Sequence, residues 1–267
     1  MDLNLEGRVA VVSGASKGIG LAVVRTLLDE GARVVATSRR PTPELDELAG
    51  ELLHVPADLM DPDAPAEVIA RANERFGGLD ILVNNAGGPA PGSPIPHDGF
   101  LSRSDADWRA IFEFNLFSAV RASRAAIPLL LERGGGAIVN VTSAVGRQPQ
   151  LFNLDYAAAK AAMSNLTKAL SEEFGARGVR VNGVAPGAVR TAWWTEPGGV
   201  ADVFAAQAGT DRESAMATLA PEMMQLTTGR LVEPQEIADA VAFLASPRSA
   251  STTGAEFVVD GGLLKAL

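Results

Sequence analysis

Residues 8–20 read RVAVVSGASKGIG, and this stretch decides the fold. Its first half is a run of β-branched and small apolar residues, which is typical of a buried strand. Its second half places Gly14, Gly18 and Gly20 at the turn into a segment with helical apolar spacing. Glycines between a strand and a helix let the backbone come close to a ligand at the helix N-terminus. The stretch therefore predicts a strand–turn–helix unit at the start of an α/β domain.

The same alternation continues along the chain. The predicted strands are residues 8–12, 33–37, 52–55, 81–83, 137–141, 179–184 and 257–259. The predicted helices are residues 19–30, 64–76, 105–133, 156–176 and 234–245. The first six strands are almost continuously apolar, which favours parallel strands covered by helices on both faces. We expect one doubly wound, Rossmann-like parallel sheet in a single domain over residues 1–267.

Composition argues against several classes of chemistry. The 267 residues include no cysteine and only two histidines, so disulfides, thiolate nucleophiles and clustered Cys or His metal sites are not expected. A formal net charge of −9 argues against a nucleic-acid partner. The N-terminus lacks the pattern of a secretory signal, and no apolar stretch is long enough to cross a bilayer. We therefore expect a cytoplasmic protein without metal, nucleic-acid or membrane partners.

The glycine turn has the spacing G-x-x-x-G-x-G. It differs from the G-x-G-x-x-G fingerprint and from a Walker loop, which needs G-x-x-x-x-G-K-[ST]. It still gives a pyrophosphate access to backbone N–H groups at a helix N-terminus. A dinucleotide site is therefore predicted here, with a plain glycine-rich turn as the alternative.

The end of the second predicted strand bears on which dinucleotide binds. An acidic residue there would bind the ribose 2′-hydroxyl of NAD, whereas an arginine accommodates the 2′-phosphate of NADP. The chain has Ser38 and Arg39 there and no acidic residue before Glu44. Arg39 and Lys17 could converge on a phosphate, and Ser38 could donate a hydrogen bond to it. We predict that NADP(H) binds here. One alternative is that NAD(H) binds instead, and another is that these cations contact only solvent.

Tyr156 is the only tyrosine, and Lys160 follows it by four residues. On a helix, residues at this spacing share a face. An ammonium beside a phenol favours the phenolate, so we expect Lys160 to lower the pKa of Tyr156 from about 10. A general acid/base near neutral pH needs such a shift. An ordinary pair of helix residues is the alternative.

Together these motifs resemble the short-chain dehydrogenase/reductase family over nearly the whole chain. The glycine turn with Ile19 matches the first family motif, although Ser13 stands where threonine is usual. Ser143 precedes Tyr156 by 13 residues, as the family pattern requires. The other matching positions are Asp58, Asn84-Asn85-Ala86-Gly87, Asn115, Pro186-Gly187 and Thr191. The resemblance implies about seven strands in the order 3-2-1-4-5-6-7.

The resemblance also implies a catalytic set of Asn115, Ser143, Tyr156 and Lys160. Tyr156 would exchange a proton with the substrate oxygen, which Ser143 would bind, and Lys160 would also bind the nicotinamide ribose. Asn115 would hold a water that links Lys160 to solvent, or it serves as a buried structural amide. The implied cofactor-binding residues are Gly14, Ser16, Lys17, Gly18, Ile19, Gly20, Ser38, Arg39, Asp58, Leu59, Asn85, Ala86, Gly87, Tyr156, Lys160, Pro186, Gly187, Val189 and Thr191. Alternatively, Asp58 caps a turn, and Asn84 and Asn85 satisfy backbone groups.

Residues 187–229 are expected to form a lid over the substrate, as in the family. Trp193 and Trp194 in this segment, with Val145 after Ser143, are the candidate substrate contacts and predict an apolar surface. Packing under the lid or at a subunit contact is the alternative for the two tryptophans. The proline-rich residues 88–100, which include His97, are expected to border the cleft.

The C-terminal residues Leu263, Leu264 and Leu267 predict an apolar contact in a homo-oligomer, a tetramer or a dimer.

As a whole, the sequence predicts an NADP(H)-dependent enzyme that interconverts a ketone and a secondary alcohol of a small molecule. An NAD-preferring enzyme of the same type is one alternative. A catalytically silent cofactor-binding regulator is another, and it would have no need of the complete Ser–Tyr–Lys set. Enoyl reductases in the superfamily have a wider Tyr–Lys spacing, and epimerases have a longer C-terminal region; the chain has neither feature.

Overall fold

The computed structural model describes residues 2–89, 99–150 and 153–265. Within them, parallel strands form one sheet in the order β3-β2-β1-β4-β5-β6-β7. The strands are β1 (Val9–Ser13), β2 (Arg33–Ser38), β3 (Leu52–Pro56), β4 (Ile81–Asn84), β5 (Gly136–Val141), β6 (Val179–Pro186) and β7 (Glu256–Val259). The predicted Rossmann-like sheet and its strand order are confirmed. Each predicted strand matches an observed one to within two residues at either end.

Helices cover both faces of the sheet. They are α1 (Gly18–Asp29), α2 (Pro43–Asp46), α3 (Ala64–Phe76), α4 (Asp105–Phe112), α5 (Ser118–Glu132), α6 (Leu154–Phe174), α7 (Ala192–Thr195), α8 (Val200–Ala208), α9 (Arg212–Ser214), α10 (Ala220–Met223) and α11 (Pro234–Ala245). Apolar residues of α1 and α11 form the core on one face, and those of α3 and α5 contribute to the core on the other. No helix in the described part of the chain is long and apolar enough to cross a membrane.

The helix predicted over residues 105–133 is divided by a π-helical turn, Glu113–Phe117, between α4 and α5. Asn115 lies in this turn and is fully buried. Its side-chain amide donates to the carbonyl of Ile111 (3.0 Å), the acceptor that the backbone N–H of residue 115 would use in an α-helix. The side chain therefore takes the place of a backbone donor, and the helix widens at this point.

The segment between β6 and α11, which the sequence analysis assigned to a lid, contains α7, α8, α9 and α10. Its short helices have an apolar core of their own, which includes Trp194, Met216 and Leu231. A bridge between Val189 and Val232 joins its two ends beside β6. His97, Leu267 and most of residues 88–100 lie outside the described residues.

Buried amides connect the centre of the sheet to the helices. The Asn84 side chain donates to Asn140 Oδ1 (2.8 Å) and to the Ser123 hydroxyl (3.2 Å). The Asn140 amide donates in turn to the Thr167 hydroxyl (2.8 Å). Because Asn84 and Asn140 are at most 3% exposed, water cannot replace these partners. The network therefore holds β4 and β5 against α5 and α6.

We expect Asn140→Val to lower the free energy of unfolding by about 2–4 kcal/mol, because Asn84 and Thr167 each lose a buried partner. Denaturant unfolding measures the change. Asn73→Ala, at an exposed position of α3, is the control and should change the value by less than about 0.5 kcal/mol. Equal stability of the Asn140 variant and the wild type would contradict a role for the network in stability.

Candidate functional site

The candidate site lies where the carboxyl ends of the central strands meet. β1 ends at Ser13, β4 at Asn84 and β6 at Pro186, and Ser143 is the second residue after β5. These strands are neighbours in a parallel sheet, so the loops that follow them emerge at the same edge. The strand order thus brings together motifs that are up to about 170 residues apart in the chain.

The glycine turn after β1 is closely packed. A Cβ atom on Gly20 would lie 2.2 Å from the carbonyl oxygen of Gly14, so no larger residue fits there without a shift of the backbone. The Asn85 amide donates to the carbonyls of Ser13 (2.8 Å) and Gly14 (3.2 Å). The Ser13 hydroxyl accepts hydrogen bonds from the backbone N–H groups of Asn85 and Ala86 (3.0 Å each). Asn85 therefore satisfies backbone groups, as in the alternative interpretation, and holds the turn in the shape of a cradle.

A cleft runs beside this turn, between the sheet and α3 and α5. Its lining is mainly apolar and includes Leu59, Ile69 and Ala119. Asp58, the residue before Leu59, accepts a hydrogen bond from the Met60 N–H (3.0 Å) and so caps its own turn. The glycine cradle, at the N-terminus of α1, fits the pyrophosphate of a dinucleotide.

The predicted phosphate-binding cations lie in different surroundings. Arg39 and Arg40 after β2 are exposed, and neither forms an ion pair with a described residue. The Ser38 hydroxyl donates to the Arg40 carbonyl (2.7 Å) and lies 2.9 Å from Nε2 of His54. Lys17 points instead to the segment between β6 and α11, where its ammonium contacts Glu196 (3.2 Å). Arg39 thus remains available to an anion, whereas Lys17 has a carboxylate partner.

Lys160 is the buried centre of the predicted catalytic set. Its ammonium is enclosed, with the residue 2% exposed, and donates to the carbonyl of Val141 at the end of β5 (2.8 Å). The ammonium lies 5.7 Å from the centroid of the Tyr156 ring. A Cβ atom on Gly87 would lie 2.9 Å from this ammonium and 2.8 Å from Oδ1 of Asn115. The glycine of the N-N-A-G motif thus leaves room for the lysine and the asparagine to approach the same point.

Burial shifts the pKa values of both groups. It lowers the pKa of Lys160 to about 8 and raises that of Tyr156 to about 12, while a hydrogen bond with the Ser143 side chain lowers the latter. The expectation that Lys160 brings the pKa of Tyr156 below 10 is therefore wrong for the polypeptide itself. The physical reason is desolvation, which disfavours the charged form of each group.

Asn115 holds the loop after β4. Its amide donates to the Gly88 carbonyl (2.8 Å), and its Oδ1 accepts from the Gly88 N–H (2.8 Å). With the bond to Ile111, the side chain is fully engaged with the backbone. The structure therefore gives Asn115 the geometry of a structural amide, in direct neighbourhood of Lys160.

A buried ion pair stands next to Tyr156, and the sequence analysis missed it. Arg103 donates through Nε (2.8 Å) and Nη2 (2.5 Å) to Oδ2 of Asp155. The two side chains are 7% and 2% exposed. Asp155 Oδ1 also accepts a hydrogen bond from the Tyr156 N–H (2.8 Å). The pair ties the start of α6 to the segment before α4, and nothing in the local sequence signals a contact over 52 residues.

The candidate substrate contacts are only partly accessible. Trp194 is 5% exposed, and its ring lies 5.7 Å from that of Phe204, inside the apolar cluster of the segment between β6 and α11. Trp193 packs against the same cluster and is half-buried. Val145 is buried in the turn after Ser143, where its N–H donates to the Ser143 hydroxyl (3.4 Å). For Trp194 this geometry corresponds to packing under the lid, the alternative interpretation.

Among the remaining predicted cofactor-binding residues, Gly18 of the glycine turn contacts Thr191 of the segment after β6. A Cβ atom on Gly18 would lie 3.1 Å from Cγ2 of Thr191, so the two segments are in close contact. The Thr191 N–H donates to the Val189 carbonyl (2.7 Å). Gly187 lies against the backbone of Asp260, and the Ser16 carbonyl accepts from Thr42.

A model of a protein family, described as "Enoyl-(Acyl carrier protein) reductase", matches residues 14–264. The chain is 39% identical to the 3-oxoacyl-(acyl-carrier-protein) reductase FabG of Vibrio cholerae over 98% of its length and 99% of that protein. The chain belongs to the short-chain dehydrogenase/reductase family. As a member of this family it is an oxidoreductase, and its relatives are reductases and dehydrogenases that act on carbonyl and alcohol groups.

Two further relatives show how widely substrates vary in this family. The chain is 36% identical to a cis-4-hydroxycyclohexanecarboxylate dehydrogenase of Sinomonas cyclohexanicum, with 96% of each chain covered. The crystal structure of L-sorbose reductase from Gluconobacter frateurii, complexed with NADPH and L-sorbose, is similar with a TM-score of 0.90 and 32% identity over 100% of both chains. Membership of the family therefore gives the general kind of reaction, whereas the substrate depends on the pocket.

The pKa of Lys160 predicts a pH dependence of stability. Since burial holds it at about 8, below the ordinary value of 10.5, the unfolded chain binds more protons than the folded one between these values. The free energy of unfolding should therefore rise with pH in this window. Relative to Lys160→Met, the wild type should gain about 1–2 kcal/mol between pH 8 and 9.5.

Denaturant unfolding of both proteins across this range measures the difference. The range ends below pH 10, because Tyr156, whose pKa is raised to about 12, contributes with the opposite sign above that point. Parallel pH profiles of the wild type and the Lys160→Met variant would contradict a lowered lysine pKa.

Proposed function

We propose that this enzyme uses NADP(H) to reduce a ketone of a small molecule to a secondary alcohol, with Tyr156 as the proton donor. The observation that carries the proposal is the cluster of Ser143, Tyr156 and the buried Lys160 beside a glycine cradle, with Arg39, which has no ion-pair partner among the described residues, directly after β2. A purely regulatory binder would not need the complete cluster. The spacing of four between Tyr156 and Lys160 favours carbonyl reduction over enoyl reduction.

The bound dinucleotide supplies the hydride in this reaction. Tyr156 gives the phenolic proton to the carbonyl oxygen as negative charge develops there, and the Ser143 hydroxyl donates a hydrogen bond to the same oxygen. Lys160, with a pKa of about 8, stabilises the resulting phenolate and returns a proton to it. Its bond to Val141 O holds the ammonium in place during this transfer.

The absence of an acidic residue at the end of β2 supports NADP(H) over NAD(H). A carboxylate at Ser38 or Arg39 would repel a 2′-phosphate, whereas the exposed guanidinium of Arg39 is free to bind it. The NADPH complex of the similar L-sorbose reductase is consistent with this choice. The same relative, with FabG, points to 2-keto sugars and 3-oxoacyl thioesters as the first ketones to test.

Tyr156→Phe removes the proton donor and keeps the ring. We expect kcat for ketone reduction to fall by about 1,000-fold or more, while the Kd for NADPH stays within about threefold. NADPH absorbance with a panel of ketones measures turnover, and fluorescence titration measures binding. Near wild-type turnover by the variant would refute the role of Tyr156, and NADPH binding without turnover of any ketone by the wild type would favour a regulatory binder.

Arg39→Ser should raise KM for NADPH about 10- to 100-fold, because one charge-assisted contact with the 2′-phosphate is lost. KM for NADH should stay nearly unchanged, since NADH has no such phosphate. The matched control is Arg25→Ser, at an exposed position of α1, which should leave the NADPH-to-NADH ratio of kcat/KM as it is. A wild-type ratio that favours NADH would contradict the cofactor assignment.

A further inference from the structure

A buried carboxylate on the last strand contacts the segments that hold the catalytic residues. Glu256 begins β7, and its side chain is 12% exposed. Its Oε1 accepts hydrogen bonds from the hydroxyls of Thr142 (2.7 Å) and Ser164 (2.6 Å). Its Oε2 accepts from Nε of Arg147 (2.7 Å). Three donors from two different parts of the chain therefore converge on one carboxylate.

Gly183 leaves space for the Glu256 side chain to cross β6. Glu256 pairs with Gly183 on β6, and Thr142 follows β5, the next strand along. A Cβ atom on Gly183 would lie 3.3 Å from Cγ and 3.4 Å from Oε1 of Glu256. Because this position has no side chain, the carboxylate can cross over β6 and reach the donors beyond it.

Two of the three donors flank Ser143. Thr142 precedes it directly, and Arg147 follows the 3₁₀ turn Ala144–Gly146 that Ser143 begins. The carboxylate thus holds this turn, which we call the Ser143 turn (residues 142–147), at both of its ends. The Ser143 hydroxyl is the group that must face the substrate oxygen, so the position of this turn sets the geometry of the reaction.

The third donor comes from the helix that holds Lys160. Ser164 lies one turn after Lys160 on α6, and its hydroxyl is 3.2 Å from the Lys160 carbonyl and 2.6 Å from Glu256. A hydroxyl has one proton, and the nearer, charged acceptor takes it. A Cβ atom on Gly146 would lie 3.1 Å from the carbonyl carbon of Lys160, so the Ser143 turn packs directly on this part of α6.

We propose that Glu256 is a positioning residue that holds the Ser143 turn and the Lys160 segment of α6 in their mutual position. The proposal rests on the function proposed above, since it concerns the geometry of that site. Charge-assisted hydrogen bonds are stronger and more directional than neutral ones, so one carboxylate with three donors fixes both segments together. Removal of the carboxylate would let the Ser143 hydroxyl drift from the Tyr156 phenol, and misplacement by about 1 Å is enough to slow a reaction about 100-fold.

The test compares Glu256→Val, Glu256→Gln and Arg147→Met with the wild type. We expect kcat, counted per NADPH-binding site, to fall about 10-fold or more in Glu256→Val, because all three contacts are lost. Glu256→Gln and Arg147→Met should each lose about threefold, and their effects should not add, since both remove the same contact. The Kd for NADPH should stay within about twofold in all variants. Counting per binding site removes unfolded molecules from the comparison.

Glu172→Gln is the matched control, because it makes the same chemical change as Glu256→Gln at an exposed carboxylate of α6, the helix that also holds Lys160 and Ser164. It should leave kcat and the Kd for NADPH as they are. The proposal is overturned if Glu256→Val keeps kcat per site within twofold of the wild type, or if its loss is matched by a weaker Kd for NADPH. Failure of the proposed function is a separate result, because the wild type itself would then reduce no ketone.

Discussion

The burial of one ammonium group is the constraint around which the site is built. Lys160 lies beneath the loops that follow β4 and β5, and its only hydrogen-bond acceptor in the described part of the chain is the Val141 carbonyl. A charge in such a place is stable only if its neighbours are held close and polar. The Val141 carbonyl is the polar partner, and Gly87, which has no side chain, leaves room for the ammonium next to Asn115. The N-N-A-G loop, the π turn and the end of β5 are therefore parts of one arrangement.

Local patterns were sufficient to predict the sheet. A strand buried on both faces needs an almost continuous apolar run, and the runs around Val11, Val139 and Val181 could be read directly from the sequence. The strand order then followed from the family resemblance. The proximity of Tyr156 and Lys160 could also be predicted, because the four-residue spacing needs only one turn of helix to bring both side chains to one face.

Contacts over long chain distances could not be predicted in this way. Lys17 meets Glu196 across 179 residues, and Thr142 meets Glu256 across 114. Nothing in the sequence near either partner signals the other. The pKa values share this limit, because the phenol of Tyr156 is shifted upward by its burial, which depends on the whole fold. The short helices between β6 and α11 were not predicted, because their apolar residues pack into a small core of their own.

The position of Glu256 on β7 also affects the register in which β7 pairs with β6. Side chains alternate between the two faces of a strand, so Phe257 points to the opposite face, where its ring stacks on Phe243 of α11 (6.2 Å). A slip by one residue would press the carboxylate against this aromatic layer and take the charged acceptor away from the Thr142 and Ser164 hydroxyls. The short strand at the edge of the sheet thus has a strong penalty against misalignment, and a single side chain, that of Glu256, defines the register in which the chain completes its fold.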